Sequence, residues 1–198
     1  SYTDAEIKSV LSQSGLPYRR VEAIENTIAD LLVKEFLVAR FTGRMEWGPR
    51  ALGNRSILAK TTDSKVVTRL NALLQRSDFM PFAPAVLAED LDLYCLNTGA
   101  GRHAAEFMTV CFDCTEKMKQ ENPAIVHVDG TARAQAVSAG ANPDFYKILK
   151  AFKDISGSSV LLNTSFNVHE EPIIRTPEEA INEIKKARLD YLAIGPFL

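Results

Sequence analysis

The sequence predicts an α/β fold, a twisted sheet flanked by helices, in one domain of 198 residues. Short runs of β-forming residues alternate along the chain with segments whose apolar residues recur at helical spacing, and such mixtures pack as helices on a sheet. Hydrophobic residues make up 46% of the chain and charged residues 24%, so a chain of this length buries a sizeable core. No internal repeat, low-complexity tract or Pro/Ser-rich linker divides it.

Five segments are predicted to be helices from the spacing of their apolar residues. The first begins at a capping box formed by Thr3 and Glu6 and stops at Gly15. The last has Thr176 as its N-cap and Pro177 at its first position. In chain order the five helices cover about 3–14, 21–33, 66–74, 142–156 and 176–188.

Six runs rich in β-formers are predicted to be strands. The first leads into the glycine-rich loop 42–56, and the fifth enters a polar turn. Strands interspersed with helices in this way imply a twisted α/β sheet. In chain order the six runs cover 36–41, 81–88, 107–114, 124–130, 158–167 and 189–195.

Charge and apolar patterning argue against several classes of function. The formal net charge of -2 gives no global basic field of the kind that attracts proteins to nucleic acid or anionic membranes, so any anion site must be local. No apolar run approaches the roughly 18 residues that span a bilayer, and the polar start SYTDAEIKSV is unlike a signal peptide. Three cysteines, an odd number, do not make a disulfide framework and fit a reducing compartment. We therefore expect a cytoplasmic protein.

The glycine-rich segment 43–56 is a candidate anion site. It carries Arg44, Arg50 and Arg55 among three glycines, a density of fixed cations and backbone amides that suits phosphate oxygens. Guanidinium groups bind phosphate in a bidentate manner and keep their charge, so together they offset several negative charges. The alternative is an ordinary surface loop whose arginines pair with Glu46 and nearby acids.

Two polar turns follow predicted strands. The turn Asn163–Asn167 lies beyond a carboxyl strand end, where ligands bind in open α/β sheets, and its hydroxyls and amides suit ribose or phosphate. The alternative is a turn whose side chains bond only their own backbone. The second stretch, 127–133, breaks at Asp129–Gly130 and adds Arg133. A plain turn and an ordinary surface arginine explain that stretch equally well.

Metal or covalent chemistry has little support in the sequence. Cys111 and Cys114 form a CxxC, but there is no second CxxC and no histidine at zinc-finger spacing, so we interpret both as buried or incidental thiols. Neither a nucleophile elbow nor a Walker A loop occurs. The histidines are scattered singly, as His103, His127 and His169.

Four separated blocks carry most of these polar residues: GRMEWGPRALGNRSILA at 43–59, PFAPAV at 81–86, HVDGTARAQAV at 127–137 and LLNTSFNVHEEPI at 161–173. Together they closely resemble the carboxy-terminal region of the O-carbamoyltransferases of nodulation and antibiotic biosynthesis. The resemblance spans about residues 20–195, and four blocks in the right order argue strongly against chance agreement.

The resemblance implies a fold and an activity. The fold is that of the threonylcarbamoyl-adenylate synthases, a twisted mixed open sheet flanked by helices with a positively charged cavity. The implied substrates are ATP and carbamoyl phosphate, with Mg2+ accompanying the nucleotide. Carbamoyl phosphate is hydrolysed, and the carbamate then attacks ATP to give carbamoyl adenylate and pyrophosphate. A separate metal-dependent amino-terminal domain, absent from this chain, transfers the carbamoyl group to a hydroxyl acceptor.

The resemblance also implies site residues, position by position. Arg50, Arg55 and Ser165 are the expected catalytic residues. We expect Arg50, Arg55 and Arg133 to converge on one cavity, because three arginines on separate segments would share an anionic ligand. The expected nucleotide or carbamoyl contacts are Arg44, Ser56, Arg76, Arg133, Asn163 and Asn167.

Two departures from the family pattern qualify these expectations. Where the family has K-x-R-E-x-F-R-P-F-A-P, this chain has LQRSDFMPFAP, so Leu74 and Met80 replace a lysine and an arginine while Arg76 remains. The cavity then lacks two cations, unless both residues pack in the core and the correspondence is shifted locally. Glu170 stands where the family has a glycine, which changes a turn and adds negative charge.

Two other functions stay open at this stage. One is a catalytically degenerate nucleotide-binding or docking module that supports a partner transferase domain. The other is a nucleic-acid binder, since the related fold tolerates that role, but the net charge of -2 and the lack of interleaved aromatic residues argue against it.

Overall fold

A mixed six-stranded sheet forms the centre of the computed structural model, which describes residues 1–75 and 81–198. Its strand order is β6-β3-β7-β2-β1-β8; the β1–β8 and β3–β6 pairs are parallel and the other three are antiparallel. A separate antiparallel pair joins β4 and β5. The predicted α/β fold with a mixed sheet is confirmed. The strands are β1 (Val38–Phe41), β2 (Arg55–Ala59), β3 (Ala83–Leu87), β4 (Phe112–Asp113), β5 (Thr131–Ala132), β6 (Gln135–Val137), β7 (Val160–Ser165) and β8 (Tyr191–Ile194).

The five predicted helices are confirmed, with bounds that differ by a few residues. They are α1, α2, α3, α7 and α8 of the series α1 (Asp4–Gln13), α2 (Ile24–Val33), α3 (Lys65–Leu73), α4 (Leu91–Tyr94), α5 (Arg102–Ala105), α6 (Glu116–Glu121), α7 (Pro143–Ser156) and α8 (Pro177–Ala187). The capping box is formed: Glu6 N donates to Thr3 Oγ1 at 3.3 Å, and Thr3 N donates to Glu6 Oε2 at 2.7 Å. Within 1–75 and 81–198, no helix has the length and apolar character needed to cross a membrane.

Helices cover both faces of the large sheet. On one face α2 and α7 pack together over the strands, burying Leu32 and Phe145. On the other face α1 and α8 bury Leu11 and Ile181 against the sheet. Each buried side chain of this size contributes about 1.5–3 kcal/mol relative to exposure. Helices therefore bury both faces of the sheet, so a polar binding site is expected at the ends of the strands.

The central strand β7 brings the polar turn at its end to the middle of the sheet. Its register places Ser165 opposite Ser56 of β2, and Asn163 between Leu58 of β2 and Ala83 of β3. Asn163 is buried. The end of β7 therefore lies between the loop that precedes β2 and the start of β3.

Two strand predictions are wrong in large part. Of the run 107–114, only Phe112–Asp113 forms a strand. The run 124–130 contains no strand: a 3-10 turn covers Pro123–Ile125, and Gly130 N donates to the His127 carbonyl at 2.9 Å in a second turn. Proline lacks an N–H donor and Asp-Gly favours a turn, and these local constraints override the β-propensity of the residues between them.

The sequence pattern does not reveal strands β2 and β6. Arg55 and Ser56 were expected in the loop, but they are the first residues of β2. Because both residues are polar, the pattern of apolar residues does not indicate that the strand begins with them. Strand β6 is only three residues long, which is too short for an alternating pattern to be recognised.

Candidate anion-binding site

A polar cavity of about 240 Å³ lies at the end of the central strand β7. Asn163, Ser165 and Asn167 line it from β7 and the following turn, Arg50 from the β1–β2 loop, and Arg133 from the segment between β5 and β6. Its apolar walls include Phe82 and Met108. The structure thus brings together five of the nine site residues expected from the sequence, contributed by three separate segments of the chain.

Arg50 and Arg133 line the cavity without a carboxylate partner. Neither takes part in the ion pairs formed within 1–75 and 81–198. Nε of Arg133 is buried and has no hydrogen-bond partner in that part of the chain. Burial lowers the pKa of Arg133, and the nearby positive charge of Arg50 lowers it further. Two neighbouring guanidinium groups repel each other until an anion binds both.

The carboxylate of Glu46 holds the loop that carries Arg50. Glu46 Oε1 accepts hydrogen bonds from the backbone N–H groups of Leu52 and Asn54, each at 2.7 Å, and of Arg55 at 3.3 Å. Such charge-assisted bonds are stronger than neutral ones. The carboxylate that was the alternative partner for the arginines therefore braces the backbone instead.

Gly53 fixes the inner end of this loop against helix α7. Its φ is +119°, and a Cβ at this position would lie 2.5 Å from the ring of Phe145. The Gly53 carbonyl accepts a hydrogen bond from Nη1 of the buried Arg40 at 2.5 Å. Only glycine combines this backbone conformation with the absent side chain, so the loop sits in one position.

Asn163 lines the cavity with an unsatisfied acceptor. Its Nδ2 donates to Gln135 Oε1 at 2.7 Å and to the Ala51 carbonyl at 3.2 Å. Its Oδ1 is buried and has no hydrogen-bond partner among the residues that the structure describes. Leaving a buried acceptor unpaired costs about 1–3 kcal/mol, so a ligand N–H group placed here would relieve that cost.

Ser165 and Asn167 form the polar rim of the cavity at the end of β7. Ser165 Oγ donates to Asn167 Oδ1 at 2.5 Å, and Asn167 Nδ2 donates to the Glu171 carbonyl at 2.6 Å. Asn167 therefore shapes the turn as well as lining the cavity. The interpretation as a self-bonded turn therefore holds in part, and the interpretation as a ligand site stays a prediction.

Arg55 does not share the cavity with Arg50 and Arg133, so the expected convergence of three arginines is wrong for this residue. Its Nη1 donates to the carbonyls of Thr42 at 2.5 Å and Asn54 at 3.0 Å. Its guanidinium carbon lies 3.6 Å from the ring centroid of Phe41. The register pairs Arg55 with Phe41 across β1 and β2, and paired residues point to the same face of a sheet.

Three other expected contacts do not line this cavity or lie outside the described residues. Ser56 is buried and its Oγ accepts a hydrogen bond from Gly53 N at 2.9 Å. Arg44 is exposed, and its carbonyl accepts from Asn54 Nδ2 at 2.9 Å. Arg76 lies outside the described residues. The roles that the resemblance implies for these side chains stay predictions.

His169 and Glu170 line the cavity although the sequence analysis did not place them there. Glu170 has a φ of 67°, a left-handed conformation that costs a residue with a side chain about 1–2 kcal/mol. His169 Nε2 lies 3.8 Å from Glu170 Oε1. The sequence carried one signal for this turn. The resemblance places a glycine where this chain has Glu170, and glycine adopts a left-handed conformation without strain. Glu170 keeps the turn and adds a carboxylate to the cavity lining beside Arg50 and Arg133.

Leu74 belongs to the hydrophobic core and does not line the cavity. Its side chain is fully buried in the cluster that α1 and α8 cover. For Leu74 the interpretation as a core residue is therefore confirmed, and the interpretation as a missing cation is wrong. Met80, the second departure, lies outside the described residues.

The thiols do not form a metal or redox pair at the CxxC. Cys111 is exposed, whereas Cys114 is buried in an isolated bridge with Cys95. Burial raises the pKa of Cys95 to about 12 and that of Cys114 to about 11, so both stay protonated. Within the described ranges, no three or more His, Cys, Asp or Glu side chains group together as metal ligands.

Curated relatives share much of this chain's sequence. The nodulation protein NolO of Bradyrhizobium diazoefficiens is 39% identical over 184 residues, which are 92% of this chain and 33% of NolO. The 3'-hydroxymethylcephem-O-carbamoyltransferase of Streptomyces clavuligerus is 33% identical over 161 residues, which are 80% of this chain and 29% of that enzyme. The chain spans between 24% and 37% of the length of the curated relatives it matches.

Solved structures share the fold at low sequence identity. Full-length HypF in its phosphate- and nucleotide-bound form has a TM-score of 0.64 at 18% identity, covering 86% of this chain and 24% of HypF. Sua5 of P. abyssi, in an H234A/Y235A variant, has a TM-score of 0.62 at 14% identity, covering 90% of this chain and 51% of Sua5. These likenesses confirm the expected fold, that of the threonylcarbamoyl-adenylate synthases.

The family comparison covers most of the chain, including every segment that lines the cavity. The family model described as the carbamoyltransferase C-terminus matches residues 29–198. The chain therefore belongs to the carbamoyltransferase C-terminus family.

Proposed function

We propose that the chain is the domain of an O-carbamoyltransferase that binds ATP and carbamoyl phosphate and forms carbamoyl adenylate. One observation carries the proposal: among the described residues, Arg50 and Arg133 line one cavity and form no ion pair, beside Asn163 Oδ1, which has no hydrogen-bond partner there. Two cations and an acceptor complement a ligand that has phosphoryl oxygens at one end and an amide at the other. Carbamoyl phosphate has that chemistry.

The two arginines hold the phosphoryl group in this proposal. Guanidinium groups bind phosphate oxygens in a bidentate manner, and hydrogen bonds to charged groups are worth about 1.5–3 kcal/mol each. The loop that carries Arg50 is braced by Glu46, so its backbone is positioned before a ligand arrives. Preorganised charge of this kind stabilises the negative charge that develops during phosphoryl chemistry.

Asn163 and Ser165 orient the carbamoyl group. Asn163 Oδ1 accepts from the carbamoyl NH2, which satisfies the buried acceptor. Ser165 lies two residues further along β7, and its hydroxyl both donates and accepts hydrogen bonds. An acetyl group in place of the carbamoyl group offers no N–H, so it leaves Asn163 unpaired.

The reaction is one of positioning and charge stabilisation. Carbamoyl phosphate is hydrolysed to carbamate and inorganic phosphate, and a carbamate oxygen then displaces pyrophosphate from ATP to form carbamoyl adenylate. Holding both reactants in one site makes the second step effectively intramolecular. Mg2+ would accompany the nucleotide and offset part of the negative charge of its phosphates.

Transfer to a hydroxyl acceptor belongs to another part of the protein in this proposal. An amino-terminal transferase domain takes the carbamoyl group from the adenylate in the cytoplasm. Two facts support this division: the chain matches a family model described as a C-terminus, and it spans at most 37% of the curated relatives. We expect no carbamoylated product from this chain alone with any panel of hydroxyl acceptors, and such a product would contradict the division.

The test is pyrophosphate release from ATP in the presence of carbamoyl phosphate. We expect Arg50→Ala and Arg133→Ala each to lower the rate about ten- to a hundredfold, the loss of one charged hydrogen bond. Arg20→Ala is the control, because it removes an exposed arginine that lies outside the cavity lining and forms a surface ion pair with Asp4. Its rate should stay within about twofold of the original.

Calorimetry separates this proposal from its rival, a degenerate nucleotide-binding or docking module. Saturable binding of ATP without pyrophosphate release supports the degenerate module. The absence of binding by either ATP or carbamoyl phosphate would overturn the proposed activity and leave a docking module that holds no nucleotide. Equal losses in the Arg20 and Arg50 variants would show that the activity does not depend on the cavity lining.

A further inference from the structure

Trp47 is the only tryptophan in the chain, and its side chain is fully exposed, with a relative accessibility of 102%. An indole gains much free energy from burial, so a folded domain seldom leaves one entirely in water. Isolated exposed apolar residues are normal in proteins. Trp47 differs from them because of its backbone and its position.

The backbone around Trp47 is braced on both sides. The preceding residue, Glu46, accepts hydrogen bonds from the backbone of Leu52 and Asn54 at 2.7 Å. Asn54 Nδ2 donates to the Arg44 carbonyl at 2.9 Å, which closes the loop behind the indole. A flexible loop would fold its tryptophan back onto the surface, but here the indole is held out into solvent.

Trp47 lies two residues before Pro49 and three before Arg50, both of which line the anion cavity. Gly48, with a φ of +121°, turns the chain directly after Trp47, and Pro49 and Arg50 then line the cavity. Two residues span at most about 7 Å, so the backbone of Trp47 lies within that distance of Pro49. The cavity, at about 240 Å³, is smaller than the roughly 300–1,000 Å³ of sites that enclose drug-sized ligands. It therefore suits phosphate groups and leaves the base of a nucleotide outside.

We propose that the Trp47 indole is the platform on which the purine base of a nucleotide stacks while Arg50 and Arg133, available once the phosphate from carbamoyl phosphate has left, hold its phosphates. The inference rests on the proposed nucleotide-binding function and names the group that holds the base. Every purine presents a π face to an aromatic ring, and base–aromatic stacking contributes about 1–3 kcal/mol. A ring on a braced backbone loses little conformational entropy when the base stacks.

A single tryptophan makes the test direct, since all indole fluorescence comes from Trp47. The chain is titrated with ATP and, separately, with inorganic tripolyphosphate, which has the phosphates but no base. Calorimetry reports affinity and fluorescence reports stacking. We expect both ligands to bind and only ATP to quench the indole.

Two substitutions complete the experiment. Trp47→Ala should weaken ATP binding about five- to a hundredfold and leave tripolyphosphate binding within about twofold. Trp47→Phe keeps an aromatic face and is the matched control, with ATP affinity within about threefold of the original chain. Because Trp47 is exposed, neither change should unfold the domain, and melting temperatures verify this.

The outcomes separate the inference from the function on which it rests. If ATP and tripolyphosphate bind alike and Trp47→Ala weakens neither, the stacking platform is overturned while the anion site stands; Trp47 then serves another contact, such as one with a partner domain. If ATP fails to bind and tripolyphosphate also fails, the proposed function falls together with the platform. Quenching by ATP together with a loss confined to ATP supports the inference.

Discussion

Arg133 and Arg50 reach the same cavity from separate segments of the chain, and the charge of Arg50 lowers the pKa of Arg133 below the value that burial alone would give. Holding two like charges together is unfavourable, and within 1–75 and 81–198 neither arginine forms an ion pair with a carboxylate. A bound anion removes the repulsion. The arrangement therefore links anion binding to stability.

Arg50→Gln tests that link. Removing the charge of Arg50 relieves the repulsion, so the melting temperature without ligand should stay the same or rise by up to a few degrees. Inorganic phosphate should raise the melting temperature of the original chain and have little effect on the variant. Differential scanning fluorimetry at a series of phosphate concentrations measures both. A phosphate-dependent rise that persists undiminished in the variant would contradict the link.

Glu170→Gly should improve both stability and anion affinity. Glycine adopts the φ of 67° at position 170 without strain, so we expect a gain of about 0.5–1 kcal/mol in the free energy of unfolding. The change also removes a carboxylate from the cavity lining, which should strengthen carbamoyl phosphate binding several-fold. Glu170→Ala is the control: it removes the charge but keeps the strain, so only the affinity should improve. Urea unfolding and calorimetry separate the two effects.

Leu74→Lys should destabilise the domain by several kcal/mol without strengthening anion binding. Leu74 is fully buried in the core, and a lysine there must bury an unpaired charge or distort the packing. Leu74→Met preserves volume and apolar character and should cost less than about 1.5 kcal/mol. Chemical denaturation of both variants makes the comparison. A stable lysine variant with tighter carbamoyl phosphate binding would show that this position does reach the ligand.

Ser165→Ala should affect chemistry more than folding. The hydroxyl donates one hydrogen bond to Asn167, so its loss should lower the free energy of unfolding by about 1 kcal/mol. Pyrophosphate release should fall by a larger factor, because Ser165 lines the cavity. Thermal melting and the pyrophosphate assay are compared on one preparation. A large fall in melting temperature with unchanged ligand binding would assign Ser165 a structural role.

Glu183 on α8 should make stability depend on pH. Burial raises the pKa of its carboxyl above the ordinary 4.5, and the neighbouring Glu171 raises it further. The folded state then holds the proton more tightly than the unfolded state, so stability falls as the pH rises from about the ordinary value through the raised one. Glu183→Gln should remove this dependence and be more stable than the original chain at pH 7 to 8. Urea unfolding between pH 4 and 8 gives the slope, and parallel slopes in the two proteins would contradict this origin.

The helices were predictable because their signals are local. Thr3 and Glu6 lie three residues apart, and so do Thr176 and Glu179, whose N–H donates to the threonine hydroxyl at 3.2 Å. An N-cap side chain and the backbone N–H three residues later contact each other within one helical turn, so this contact does not depend on the rest of the fold. The same reasoning failed at 124–130, where turn-forming residues at both ends outweigh the β-propensity between them.

The site was predictable where polar side chains lie in the last residues of a strand or directly after it. Asn163, Ser165 and Arg133 reach the cavity as the resemblance implied. Arg55 does not, since the register of β1 and β2 decides its direction and no local pattern encodes that register. The brace formed by Glu46 was equally hidden, because its acceptor role depends on a loop conformation that the sequence does not specify.

Gly53 has a consequence for how sequences of this family are able to vary. A Cβ at position 53 would meet the ring of Phe145, and a smaller residue at 145 would remove that clash. Smaller residues at 145 do not make alanine acceptable at 53, because the φ of +119° remains closed to any L-residue with a side chain. The size of residue 145 can therefore vary among related chains, whereas residue 53 must remain glycine. We expect related chains with this loop to keep glycine at 53 whatever residue they carry at 145, a covariation that runs in one direction only.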